Sequence, residues 1–163
     1  MGKQAQEADV RRWIVWLLGG GGAHVKFEDA IKNFPAKLLG KKPRHLPYSA
    51  WQVLEHMRLA QADILDFSVN AAYQELEWPA DYWPKMVSPP DPAAWEKSVR
   101  EFRADLRRMQ KLVENPKTDL QTPIPWGSGS GQTLLREALL LADHNAYHLG
   151  ELVVLRRLLG AWK

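Results

Sequence analysis

Four long stretches of this chain carry apolar residues at helical spacing, and proline or glycine interrupts the chain between them. No stretch alternates convincingly as a strand would. The first helix is expected over about 7–18, with Val10, Trp13, Ile14, Leu17 and Leu18 at helical spacing. Glycines 19–22 end it, because four in a row cannot sustain a helix. A short helix is expected over 27–33, stopped by Pro35, and 36–47 reads as a basic, irregular stretch. The second long helix starts near Ser49, where Gln52 three residues on makes a capping box, and runs to about 70. An aromatic, proline-rich loop over 77–90 follows, whose WPADYWP run excludes helix. Asp91 as N-cap with Pro92 at the first helical position opens the third helix, which ends near 115. Its apolar face is Trp95, Val99, Phe102, Leu106, Met109 and Val113. Thr133 caps the fourth, which runs to about 159 and stops at Gly160. The expected architecture is all-α, one domain over 1–163, an antiparallel four-helix bundle.

Charge and composition exclude several functions. The net charge of +3 is too small to argue for nucleic acid, and no docking motif accompanies it. Arg100, Arg103, Arg107 and Arg108 alternate with Glu96, Glu101 and Asp105, which reads as a solvated helix face. With no cysteine, the chain has no disulfide, no thiolate metal site and no cysteine nucleophile of its own. No stretch approaches the ~18 apolar residues of a membrane span, and no secretory leader is evident, so a cytoplasmic protein without membrane contact is expected. The GSGSG run near 127–131 lacks the lysine of a phosphate-binding loop and reads as a connector.

Histidine carries the chemistry. In DHNAYH, His144 and His148 stand one helical turn apart on one face, so two imidazoles can share an ion. That face continues through Glu137, Leu140, Leu141, Glu151 and Leu155, mostly apolar and therefore inward. His56 lies on the second long helix, on a face with Val53, Leu59, Ala60 and Phe67. If the two helices are neighbours, His56 completes a facial set of three neutral nitrogens suited to zinc, nickel or iron, with positions left for water or substrate. Asn145 occupies the place where a HExxH metalloprotease needs its glutamate, which argues against a protease. His24 and His45 are expected to be exposed.

The segments SAWQVLEHMRLAQADILDF and TLLREALLLADHNAYHLGELVVLRRLLGAW resemble the DinB/YfiT-like superfamily of metalloenzyme-type bundles. His56, His144 and His148 match its pattern of one histidine early in the second long helix and HxxxH in the last. The resemblance implies an up-down-down-up bundle, often a homodimer, with three histidines holding a divalent ion, typically nickel or zinc. Some members are thiol-dependent transferases or isomerases; many have no established activity. The function expected is a metal-dependent enzyme acting on a small molecule, by S-transfer with a low-molecular-weight thiol or by hydrolase-type chemistry. The alternative is a non-catalytic module, of stress-response type, that binds metal or a small ligand. Glu55, Asp63 and Glu151 are candidates for hydrogen-bond partners of the ligands or proton carriers, with rim carboxylates as the other reading. As a fourth ligand, Asp63 or Glu151 would instead mark a closed, structural site. Trp51, Tyr147 and the 78–83 loop, including Trp83, either line a substrate entrance or pack the bundle end.

Overall fold

A computed structural model describes residues 2–162 apart from Ser128 and Ser130. The glycine–serine connector read from the sequence falls partly on those two, outside the described residues. The described chain is all helical: α1 (Lys3–Leu18), α2 (Phe27–Ile31), a 3-10 turn (Ala36–Leu38), α3 (Ala50–Val69), α4 (Ala94–Glu114) and α5 (Leu134–Leu158). None of these helices is long and apolar enough to cross a membrane.

Local chemistry sets most of the boundaries. Ser49 and Gln52 form the reciprocal capping box at the start of α3, and the Thr133 side chain accepts from Arg136 N at the start of α5. Two boundaries differ from expectation. α1 begins at Lys3, because the polar residues before Glu7 are themselves good helix formers. α4 begins at Ala94 and Asp91 is not its N-cap. The Asp91 carboxylate instead accepts from Ala93 N at 2.7 Å, an Asx turn that leaves Pro92 ahead of the helix. α2 ends at Ile31, and Asn33 turns the chain with a left-handed φ of 54°.

Side-chain registers give the helix directions. Gln61 bonds the Phe102 carbonyl and Arg58 reaches Glu101, so mid-α3 lies against mid-α4. One core cluster joins the starts of both helices, through Val53, Leu54, Trp95 and Val99, with the end of α5 at Leu152 and Leu155. A second joins their ends, through Ile64, Leu65, Met109 and Val113, with the start of α5 at Leu134, Ala138 and Leu141. α3 and α4 are therefore parallel and α5 is antiparallel to both. α1 meets the far end of α4 at Arg11 and climbs until Leu18 shares a cleft with Leu106 and Phe102. The order is up-down-down-up. Above α1, α2 takes over its place in the bundle, with Phe27 stacked on Phe102 at 4.3 Å.

A parallel pair forces the chain to return along the bundle. α3, with 20 residues, is about 30 Å long, and the connection 70–93 must retrace that distance. Along the way the Tyr73 and Tyr82 hydroxyls donate to Asp63, at 2.9 and 2.7 Å, and Ser49 Oγ donates to the Val87 carbonyl. The crossover is thus held against the outside of α3.

Two buried arginines tie the other connections down. Arg11 donates to the carbonyls of Val113, Asn115 and Thr118 at 2.7–3.0 Å where α4 ends. Arg156 donates to Asp29, Ala30, Lys32 and Ala161, at 2.6–3.1 Å, where α2 and α5 end. Each gathers carbonyls at and just beyond helix ends, and each cation sits at a helix's negative end. Arg156→Met should strand four carbonyls and lower the unfolding free energy by about 2–4 kcal/mol, measured by urea denaturation with secondary structure retained before the transition.

Candidate metal centre

His56 lies in the second turn of α3, and the antiparallel packing of α5 carries His144 and His148 across to it. His56 Nε2 is 3.1 Å from His148 Nε2 and 3.1 Å from His144 Nε2. One nitrogen from each ring lies within 4.8 Å of the others, and these three make up the metal-capable cluster found among the described residues. With metal–nitrogen bonds of about 2.0–2.1 Å, two nitrogens at this separation subtend roughly 100° at an ion, between tetrahedral and octahedral geometry.

The second nitrogens of two rings fix their tautomers. His56 Nδ1 faces the Tyr82 carbonyl at 2.9 Å, and His148 Nδ1 faces a Glu151 carboxylate oxygen at 2.7 Å. Both partners only accept, so each Nδ1 carries the proton and each Nε2 presents a lone pair. Two lone pairs then face each other at hydrogen-bond distance, with a third imidazole nitrogen alongside. A single proton relieves one such contact, whereas a cation at the convergence relieves all of them. This donor set fits a divalent ion.

Burial keeps the rings neutral. His56 is 2% and His148 7% exposed, and His144 is half-buried. Desolvation, with repulsion from the neighbouring imidazoles, lowers His144 to about 4. The same causes lower His148 to about 4, and desolvation lowers His56. Burial raises Glu151, against the pull of His56.

The crossover supplies the wall. Trp83 lies flat on the His56 ring, centroids 4.0 Å apart and planes 3° from parallel, and Tyr48 stacks on Trp83 in turn. Trp78 meets His56 edge-on and Tyr147 meets His148 edge-on at 4.9 Å; both are largely exposed. Asp63 touches no histidine but accepts from Tyr73 and from Tyr82, the residue whose carbonyl holds His56. Burial first, and the Asp63 carboxylate second, push both phenols above their ordinary range.

Not every candidate gathers here. Glu55 is buried and paired with Arg58 at 2.9 Å through both oxygens, so its place is the α3–α4 seam and no described hydrogen bond joins it to the histidines. Trp51 is 5% exposed and packs in the core cluster with Leu39 and Ala50, the bundle-end packing of its two readings. His24 and His45 are exposed and outside the cluster. The Tyr82 carbonyl went unread, since no side-chain pattern reports a main-chain acceptor. Gln61 and Asn145, hydrogen-bonded to each other at 3.0 Å beside the triad, went unread too, although an amide on an inward helix face is itself a signal that a partner is required.

The family model of the DinB superfamily matches residues 22–152, a span that includes all three histidines. No curated protein and no solved structure matches the chain.

The lowered pKa values have a signed consequence. His144 and His148 stay neutral when folded down to about pH 4 but take up protons near pH 6.5 when unfolded. Between those values the unfolded chain binds more protons, so stability falls as pH falls. Chelator-treated protein should lose unfolding free energy steadily from pH 6.5 toward pH 4, read as a falling urea midpoint, and a His144→Leu/His148→Leu double variant should flatten that slope.

Proposed function

The chain belongs to the DinB superfamily, and from that premise we propose that it is a metal-dependent enzyme holding one divalent ion on His56, His144 and His148. The observation that carries this is the commitment of the three candidate carboxylates, Glu55, Asp63 and Glu151, to other partners. Glu151 is on His148 Nδ1, Asp63 is on two tyrosines, and Glu55 is on Arg58. A structural ion requires four protein ligands. Three imidazoles with no fourth side chain among the described residues leave coordination positions for a reactant, which favours catalysis over a staple between helices.

When bound, a divalent ion on three neutral imidazoles keeps its double charge and supplies Lewis acidity, which acidifies a water or a thiol. Zinc and nickel both suit an all-nitrogen set, and iron is compatible with it. The protein's residues do the rest. Tyr82 and Glu151 orient their imidazoles and keep each proton on the far nitrogen. Trp83 covers one face of His56 and excludes water from it. Glu151, partly solvent-facing and raised by burial, can take a proton from a reactant at the rim. Tyr147 and Trp78 offer exposed aromatic faces to the apolar part of a small substrate. Since the chain has no cysteine, thiol chemistry here takes its sulfur from a low-molecular-weight thiol.

Purified protein is expected to carry about one zinc or nickel per chain by elemental analysis, and His144→Ala to lose most of it. Unaltered metal content in that variant would sink the site. Turnover of a thiol with an electrophile by the metal-loaded protein, abolished in the same variant, would establish the enzyme. Metal binding with no turnover and no thiol affinity would establish the alternative, a non-catalytic binding module.

A further inference from the structure

Two of the three histidines have a clear partner for the nitrogen that faces away from the cluster. For the third, His144, Nδ1 is buried without a hydrogen bond, and so is Asn145 Oδ1 next to it in the chain. A line of two amides, one buried and one half-buried, leads to this pair. Gln61 is 0% exposed, and its Nε2 donates to the Phe102 carbonyl on α4 at 2.6 Å. A carbonyl can only accept, so the Gln61 amide has one allowed orientation, with nitrogen toward α4 and oxygen toward α5. That oxygen accepts from Asn145 Nδ2 at 3.0 Å, which orients the second amide the same way. Asn145 Oδ1 is then the free acceptor, and its neighbour His144 holds the free ring nitrogen.

We propose that the chain of groups from the Phe102 carbonyl through Gln61 to Asn145 holds His144 with its proton on Nδ1 and its lone pair on Nε2, which makes Gln61 and Asn145 positioning residues for the third metal ligand. One hydrogen bond from Nδ1 to Oδ1, direct or through a single water, satisfies both orphaned atoms. Both α3 and α4 then contribute to the metal centre. α3 supplies a ligand and Gln61, and α4, which holds no ligand, contributes through its backbone. The inference rests on the metal-binding reading above.

The test compares zinc affinity in Asn145→Leu and Asn145→Asp, by competition with a chelator, alongside wild type. Both variants break the bond to Gln61, so a purely structural role weakens both alike. The Asp variant keeps an acceptor for His144, so positioning predicts affinity equal to or tighter than wild type, while the Leu variant loses about 10-fold or more. In the zinc-loaded protein the His144 Nδ1 proton should exchange slowly by NMR in wild type and Asn145→Asp, and be lost to solvent in Asn145→Leu. Gln61→Met, which frees Asn145 to rotate, should fall between the two affinities. Zinc bound by Asn145→Leu as tightly as by wild type, or equal losses in the Leu and Asp variants, overturns the proposal alone. Failure of the wild type to bind zinc overturns the underlying metal site with it.

Discussion

The parallel pairing of α3 with α4 is the constraint on which the site depends. Two antiparallel neighbours can be joined by a short turn at one end, but parallel ones require the chain to travel back along the full helix length. Here the return path runs down the outside of α3, clamped by Asp63 at its middle and Ser49 at its end. That path delivers the Tyr82 carbonyl to His56 and lays Trp83 on its ring. The same topology makes α5 antiparallel to α3, and in that packing His144 and His148 lie level with His56.

The energetics follow from what the core excludes. Three imidazoles inside a helical bundle are costly unless each polar nitrogen has a use. The outward nitrogens find a carbonyl and a carboxylate on two rings, and an amide chain beside the third. The inward nitrogens converge on one point, and that convergence makes sense only with positive charge at its centre. Arg11 and Arg156 meet the same requirement in the opposite sense, each setting a buried cation among carbonyl oxygens at the ends of helices.

Much of the scaffold was legible in the sequence because its signals are local. The Ser49–Gln52 box, the Thr133 cap and the apolar face from Trp95 to Val113 depend on spacing within a few turns. The histidine spacing on α5 is local too, while the approach of His56 needed the family resemblance, since nothing within α3 says which helix it will face. Asp91 misled because its carboxylate can serve either a helix start or the tighter turn that the structure adopts. Trp51 stayed open between wall and core because a large aromatic residue near a helix start suits both, and only tertiary packing, here against Leu39 and Ala50, decides between them. The Glu55 carboxylate, next to His56 in sequence, leaves the histidine face because consecutive helical residues point about 100° apart.

One feature of the crossover separates this centre from sites built wholly of side chains. The acceptor that orients His56 is the peptide oxygen of residue 82, which no amino-acid exchange at that position removes. Exchange of the phenol itself would release the Asp63 clamp yet leave the oxygen in the backbone. Adding or deleting a residue between 70 and 93 would instead slide a different peptide unit over the imidazole and shift the stacked indole with it. Relatives that keep such a centre are therefore free to vary the letters of this segment far more readily than its count.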